Sequence, residues 1–133
     1  MKFFLASLIV SLATPTQTLT EQRVSSEYNT CIKKLPELAG HWDQTQCMAD
    51  EVDRQKALLN IEYKALVRKT DKRDKAALEK AQKAWLAFRE VECEAKADAI
   101  DHAGGNGAWD ASVSCLLQHV LLRRDQLKNY WAL

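Results

Sequence analysis

Leu78–Cys93, LEKAQKAWLAFREVEC, is the stretch whose periodicity decides the fold. Leu78, Ala81, Trp85 and Phe88 recur three and four residues apart, which places them on one side of an α-helix. Glu79, Lys80, Lys83 and Glu90 fall mostly on the other side. The expectation is a core helix with a solvated back.

Working upstream, Thr70–Lys75 (TDKRDK) is the turn candidate before this helix, because Thr70, Asp71 and Asp74 can each cap a helix start. A short connection there predicts two antiparallel helices packed on each other. The alternative is one continuous helix through Asp71 to Asp74, since neither Gly nor Pro interrupts it. The hairpin is preferred, because a single very long helix could not fold back to bury its own stripe. The preceding helix is expected to start near Asp43, read as an N-cap with Gln46 completing a capping box. It continues through Met48, Val52, Leu59, Tyr63 and Leu66 to about Thr70. Ahead of it, Glu21–Leu35 predicts a short helix stopped by Pro36.

Downstream, the helix is expected to end at His102-Ala103, where Gly104-Gly105-Asn106-Gly107 forms a loop. Trp109-Asp110 then repeats Trp42-Asp43: a large apolar residue outside an acidic cap, the position of a hydrophobic staple. A last helix follows from Asp110 to about Tyr130, with Val113, Leu116, Leu117, Val120, Leu121 and Leu127 on its apolar side. No strand pattern appears. The fold class is all-α: a small disulfide-bonded bundle of three long helices plus a short N-terminal one.

The 133 residues leave room for one domain. Residues 1–18 read as a signal peptide: Lys2, an apolar run from Phe3 to Val10, and a small-x-small pattern ending at Ala13, with cleavage anywhere over 13–20. Residues 19–133 form the helical domain. The apolar run is shorter than the roughly 20 residues a membrane span needs, and no later stretch is longer, so no membrane span is expected. Nineteen basic and 18 acidic residues are interspersed, and removal of Lys2 takes the net charge from +1 to 0. That leaves no basic footprint for nucleic acid. Export makes Cys31, Cys47, Cys93 and Cys115 two disulfides rather than a zinc site, whose ligands would come in tight pairs. Cys31 with Cys47 and Cys93 with Cys115 can each meet across one hairpin, and that pairing is favoured. Cys47 with Cys93, leaving Cys31 with Cys115, is the alternative.

The chain lacks the motifs of hydrolases, metalloproteases and phosphate-binding loops, so neither an enzyme nor a cofactor is expected. Asp98, Asp101 and His102 share a helix face, but a histidine at a helix C-terminus is favoured by the macrodipole, and no metal is assigned. Asn60 and Gln82 are expected to hydrogen-bond across the hairpin and fix its register. Arg89 would reach carboxylates or backbone across helices. Tryptophan is enriched at binding hot spots, so the strip His102, Asn106 and Trp109, with Trp42 beside it, is the candidate surface for a protein partner.

Taken together, these residues resemble the LprI-like lysozyme-inhibitor family of small exported bacterial proteins. The resemblance rests on Gln46-Cys47-Met48, Leu59-Asn60 with Tyr63, Ala81-Gln82 with Trp85, Phe88-Arg89 and Cys93, Gly104-Gly105, Cys115, and Arg124 with Leu127. It spans the chain from Cys31 onward. Two positions depart: Lys56 stands where an acidic residue is expected, and Met48 follows rather than precedes its cysteine. The resemblance implies a helical, disulfide-bonded, periplasmic or secreted protein that inhibits a lysozyme-type muramidase by occluding its cleft; the alternative is a periplasmic envelope-associated binding or structural module with a different partner. The resemblance supplies no inhibitory motif to place residue by residue, and it leaves the oligomeric state open.

Overall fold

A computed structural model describes residues 23–37 and 39–132; the signal-peptide reading lies outside them. Four helices follow one another: α1 Ser26–Lys34, α2 His41–Lys69, α3 Lys72–His102 and α4 Ala108–Lys128. Ser25 caps α1, its Oγ accepting from the Tyr28 amide at 3.1 Å, and Pro36 lies two residues beyond the helix. No described residue is in a strand.

The break at Thr70-Asp71 is where the sequence places it, but α2 and α3 do not pack on each other as a hairpin. They scarcely touch, and both lie against α4, which fills the space between them. α4 runs antiparallel to α3 and parallel to α2. Near its start Asp110 meets Thr45, and beyond its end the Trp131 indole donates to Thr70 Oγ1 at 3.3 Å. This central position explains why α4 buries residues around most of its circumference: Val113, Cys115, Leu117, Val120, Leu121, Arg123 and Leu127. One apolar cluster joins Val52 to Val113, Leu117 and Leu121, and another joins Leu59 to Val120 and Leu127.

The cysteines pair Cys31–Cys47, fastening α1 to α2, and Cys93–Cys115, fastening α3 to α4. With sequence separations of 16 and 22, each bond contributes roughly 3 kcal/mol in the chain-entropy picture.

Three expectations are corrected. Phe88 is not in the core but 56% exposed; the buried stripe of α3 is instead Leu78, Gln82 and Cys93, with Trp85 and Arg89 partly covered. The stripe is rotated because α4, not α2, covers it. Asn60 and Gln82 do not meet: Asn60 is exposed, and Gln82 Oε1 accepts from Arg123 Nε of α4 at 2.9 Å. Asp43 and Asp110 are not caps, since Gly40 and Gly107 hold those positions and both carboxylates sit in the first helical turn, where the dipole favours them. Trp42 and Trp109 therefore lie inside their helices rather than outside as staples.

Candidate functional site

The starts of α2 and α4 come together at one end of the layer, which the loop after α3 also reaches. Their shared first-turn tryptophans meet there: the Trp42 and Trp109 rings are 4.2 Å apart between centroids, tilted by 39°. Trp109 is half-buried and rests on the cluster around Val52 and Val113. Trp42 is held up on it and remains 69% exposed. The pair presents a large apolar surface on a base packed against the core.

Below it, the fully buried Thr45 hydroxyl lies 3.0 Å from the His41 carbonyl and 2.9 Å from Asp110 Oδ1, tying the two helix starts. His41 Nε2 stands 3.6 Å from the other oxygen of Asp110. The loop from α3 closes with Gly104 at φ +75°, a conformation that favours glycine. The Gly104 amide donates to the Asp101 carbonyl at 2.9 Å and the Gly105 amide to Ile100 at 3.1 Å. His102 at the end of α3 and Asn106 on this loop are exposed, and His102 Nδ1 donates back to the Asp98 carbonyl at 2.7 Å. Asp43, Asp98, Asp101 and Asp110 give this end an acidic cast, set against Lys33 and Lys34 at the close of α1. A shallow groove of about 370 Å³ between α3 and α4, lined by Lys96, Ile100, Asp110 and Gln118, opens beside it.

Sequence reasoning missed the buried polar side chains. Glu51 of α2 has no exposed surface and accepts four hydrogen bonds: from the Ser25 amide at 2.7 Å, Ser25 Oγ at 2.5 Å, Gln55 Nε2 at 2.6 Å and Arg54 Nε at 2.9 Å. Burial pushes this carboxyl upward, but these donors outweigh burial and hold it below the usual carboxylate range. Gln55 passes the network to Arg124 of α4, which forks onto Glu62 at 2.6 and 3.0 Å. Across α4, Arg123 is buried between Trp85 and Tyr130, its guanidinium 5.6 Å from each ring, and Arg89 covers Trp85 at 5.1 Å. The signal for these residues is faint: Arg123-Arg124 inside an apolar helix, and Glu51 four residues before Gln55.

None of these groups forms a nucleophile-base set. Cys93, Cys115 and His119 place their donor atoms within 4.8 Å of one another, but both sulfurs are spent in the disulfide and lack the thiolate charge a metal requires. What the arrangement offers is recognition: a rigid aromatic pair framed by carboxylates.

A family model described as Lysozyme inhibitor LprI matches residues 31–127. No curated protein and no solved structure matches the chain.

Proposed function

The chain belongs to the LprI lysozyme inhibitor family, and from that premise we propose that it blocks a lysozyme-type muramidase by seating its Trp42–Trp109 end in the enzyme's cleft. The observation that carries this reading is the tryptophan pair itself. Exposed aromatic groups on a rigid base lose little conformational entropy on binding and dominate interfaces where they fill a concave partner. A muramidase must keep an open cleft for an extended polysaccharide, with its carboxylate pair inside. Occluding that cleft needs shape and no chemistry, in keeping with a family described as inhibitors.

The acidic frame supports the same end. Many lysozymes are cationic, and Asp43, Asp98, Asp101 and Asp110 would favour encounter with a positive rim, although a chain near neutrality gains little long-range steering. The two disulfides suit an oxidising compartment, periplasmic or secreted, where such an enzyme would be met. No helix among the described residues is long and apolar enough to cross a membrane.

The test is a cell-wall lysis assay with oxidised protein against muramidases of several types. Saturable inhibition near one-to-one stoichiometry is expected, and Trp42→Ala should weaken it by about thirtyfold or more, the loss of a hot-spot side chain. Because Trp42 is mostly exposed, its melting temperature should hardly move. Inhibition untouched by Trp42→Ala would remove the aromatic end from the interface. No inhibition of any muramidase by a folded, oxidised sample would overturn the reading as a whole.

A further inference from the structure

Beyond the aromatic end, α3 carries a second apolar face that the described chain leaves largely open. Ala77, Ala81, Ala84, Phe88, Val91 and Ala95 recur at alternating spacings of four and three residues, a strict heptad pattern. This stripe runs beside the buried one, about a quarter to a third of the way round the helix. Phe88 is 56% and Val91 67% exposed, and all the alanines except Ala81 are open to solvent. Scattered exposed apolar residues are ordinary, but a seam sustained over nearly three heptads at the solvent face of a helix is not.

We propose that this face pairs with a second copy of the chain, α3 against α3 in antiparallel orientation, about a two-fold axis passing near Ala87. Three features select that occupant. First, the register centres on position 86, next to Ala87 at the midpoint of α3, Lys72–His102, so the two-fold overlays the helices along nearly their whole length. Second, the antiparallel register sets a large side chain against a small one where large side chains occur: Phe88 on the partner's Ala84, and Val91 on the partner's Ala81. Ala95 then meets the partner's Ala77. Alanines at these positions let the helices approach closely, and each knob finds a hole. The Phe88 ring is already placed, resting edge-on against His119 of α4 with centroids 5.6 Å apart.

Third, the charges are self-complementary only when the helices oppose. Lys72–Lys83 carries five cations against two carboxylates, and Glu90–His102 carries five carboxylates against Lys96 alone. The antiparallel register puts Lys80 beside the partner's Glu94, and the symmetry makes that pair twice. Both residues are exposed, and neither takes an ion pair within the described residues. A parallel, in-register pairing would instead align the two basic halves and stack Phe88 on Phe88.

Sedimentation equilibrium of the oxidised protein, from micromolar to submillimolar concentration, tests this. The expected mass rises with concentration to twice that of one chain. Phe88→Glu should weaken association by about thirtyfold or more, as loss of the central anchor. Lys80→Glu and Glu94→Lys should each weaken it about tenfold by setting like charges opposite, and mixing those two variants should restore it as a heterodimer. All three side chains are exposed, so circular dichroism should show unchanged folding. A single-chain mass throughout, association indifferent to Phe88→Glu, or variants that fail to rescue each other would overturn the proposal. It stands or falls independently of muramidase inhibition.

Discussion

Arg123 and Arg124 are neighbours in sequence and serve opposite seams of the molecule. Arg124 faces α2, where it forks onto Glu62 and reaches Gln55, joining a network anchored by the buried Glu51. Arg123 faces α3, where no carboxylate meets it: it donates to Gln82 and Gln126, lies between two aromatic rings, and leaves Nη2 buried without a partner. One seam satisfies charge with charge. The other satisfies it with an amide and π-faces, which attract a cation less strongly but are cheaper to desolvate. The α2 seam should thus depend on its polar residues, and the α3 seam on its rings and its disulfide.

The largest expected effect follows from the first half of that contrast. Glu51→Ala strands the donors of Ser25 and Gln55 and should cost about 3 kcal/mol in urea unfolding. Acid should act on the same group. Its folded pKa lies below the unfolded value of about 4.3, so its contribution is complete above that value and is lost as pH falls through the folded one. Glu51→Gln should start less stable and lose less in acid.

A paired comparison is sharper. Arg124→Leu leaves Glu62 and the Gln55 carbonyl without their donor and should cost about 2 kcal/mol, whereas Arg123→Leu gives up its bonds to Gln82 and to the exposed Gln126, together with an unsatisfied N–H, for apolar packing, at about 1 kcal/mol. If the order were reversed in denaturant titrations, the two seams would not differ as argued. The smallest effect belongs to His119, on the α3 side. Burial and then Lys96 press its imidazole below the usual range, with Glu92 opposing and Arg89 adding to the depression. A histidine with a lowered folded pKa stabilises above its unfolded value and loses that contribution as pH drops below about 6.5. His119→Gln should flatten this shallow slope in melting temperatures measured at stepped pH.

Helix existence was legible because Leu78 to Cys93 and its flanks carry strong three-four periodicity, and the Gly104–Gly107 and Pro36 breaks are unambiguous. The favoured cysteine pairing agrees with the structure for a simple reason: each pair lies on elements joined by one short connection. Which face of α3 turns inward was not legible. Phe88 is more apolar than Gln82 or Arg89, and periodicity alone ranks it for the core. The decision rests with α4, whose Arg123 gives Gln82 a partner and whose neighbour Tyr130 helps enclose that arginine. In sequence Trp42 and Trp109 read as staples at two separate helix starts and as candidate contact residues; their stacking needs the parallel course of α2 and α4, which no local pattern encodes.

The position of α4 between the other two long helices also sets an order of events. It is the last of the four described helices to emerge when the chain is made or threaded through a membrane from its N-terminus. Until Ala108–Lys128 arrives, α3 has no surface on which to bury its stripe and α2 has only the short α1, since α2 and α3 barely touch each other. Cys31 and Cys47 can join while much of the chain is still to come, but Cys93 must wait for Cys115 on the final helix. Oxidation of this protein should therefore proceed in two stages, the first local and early, the second marking the moment the domain closes.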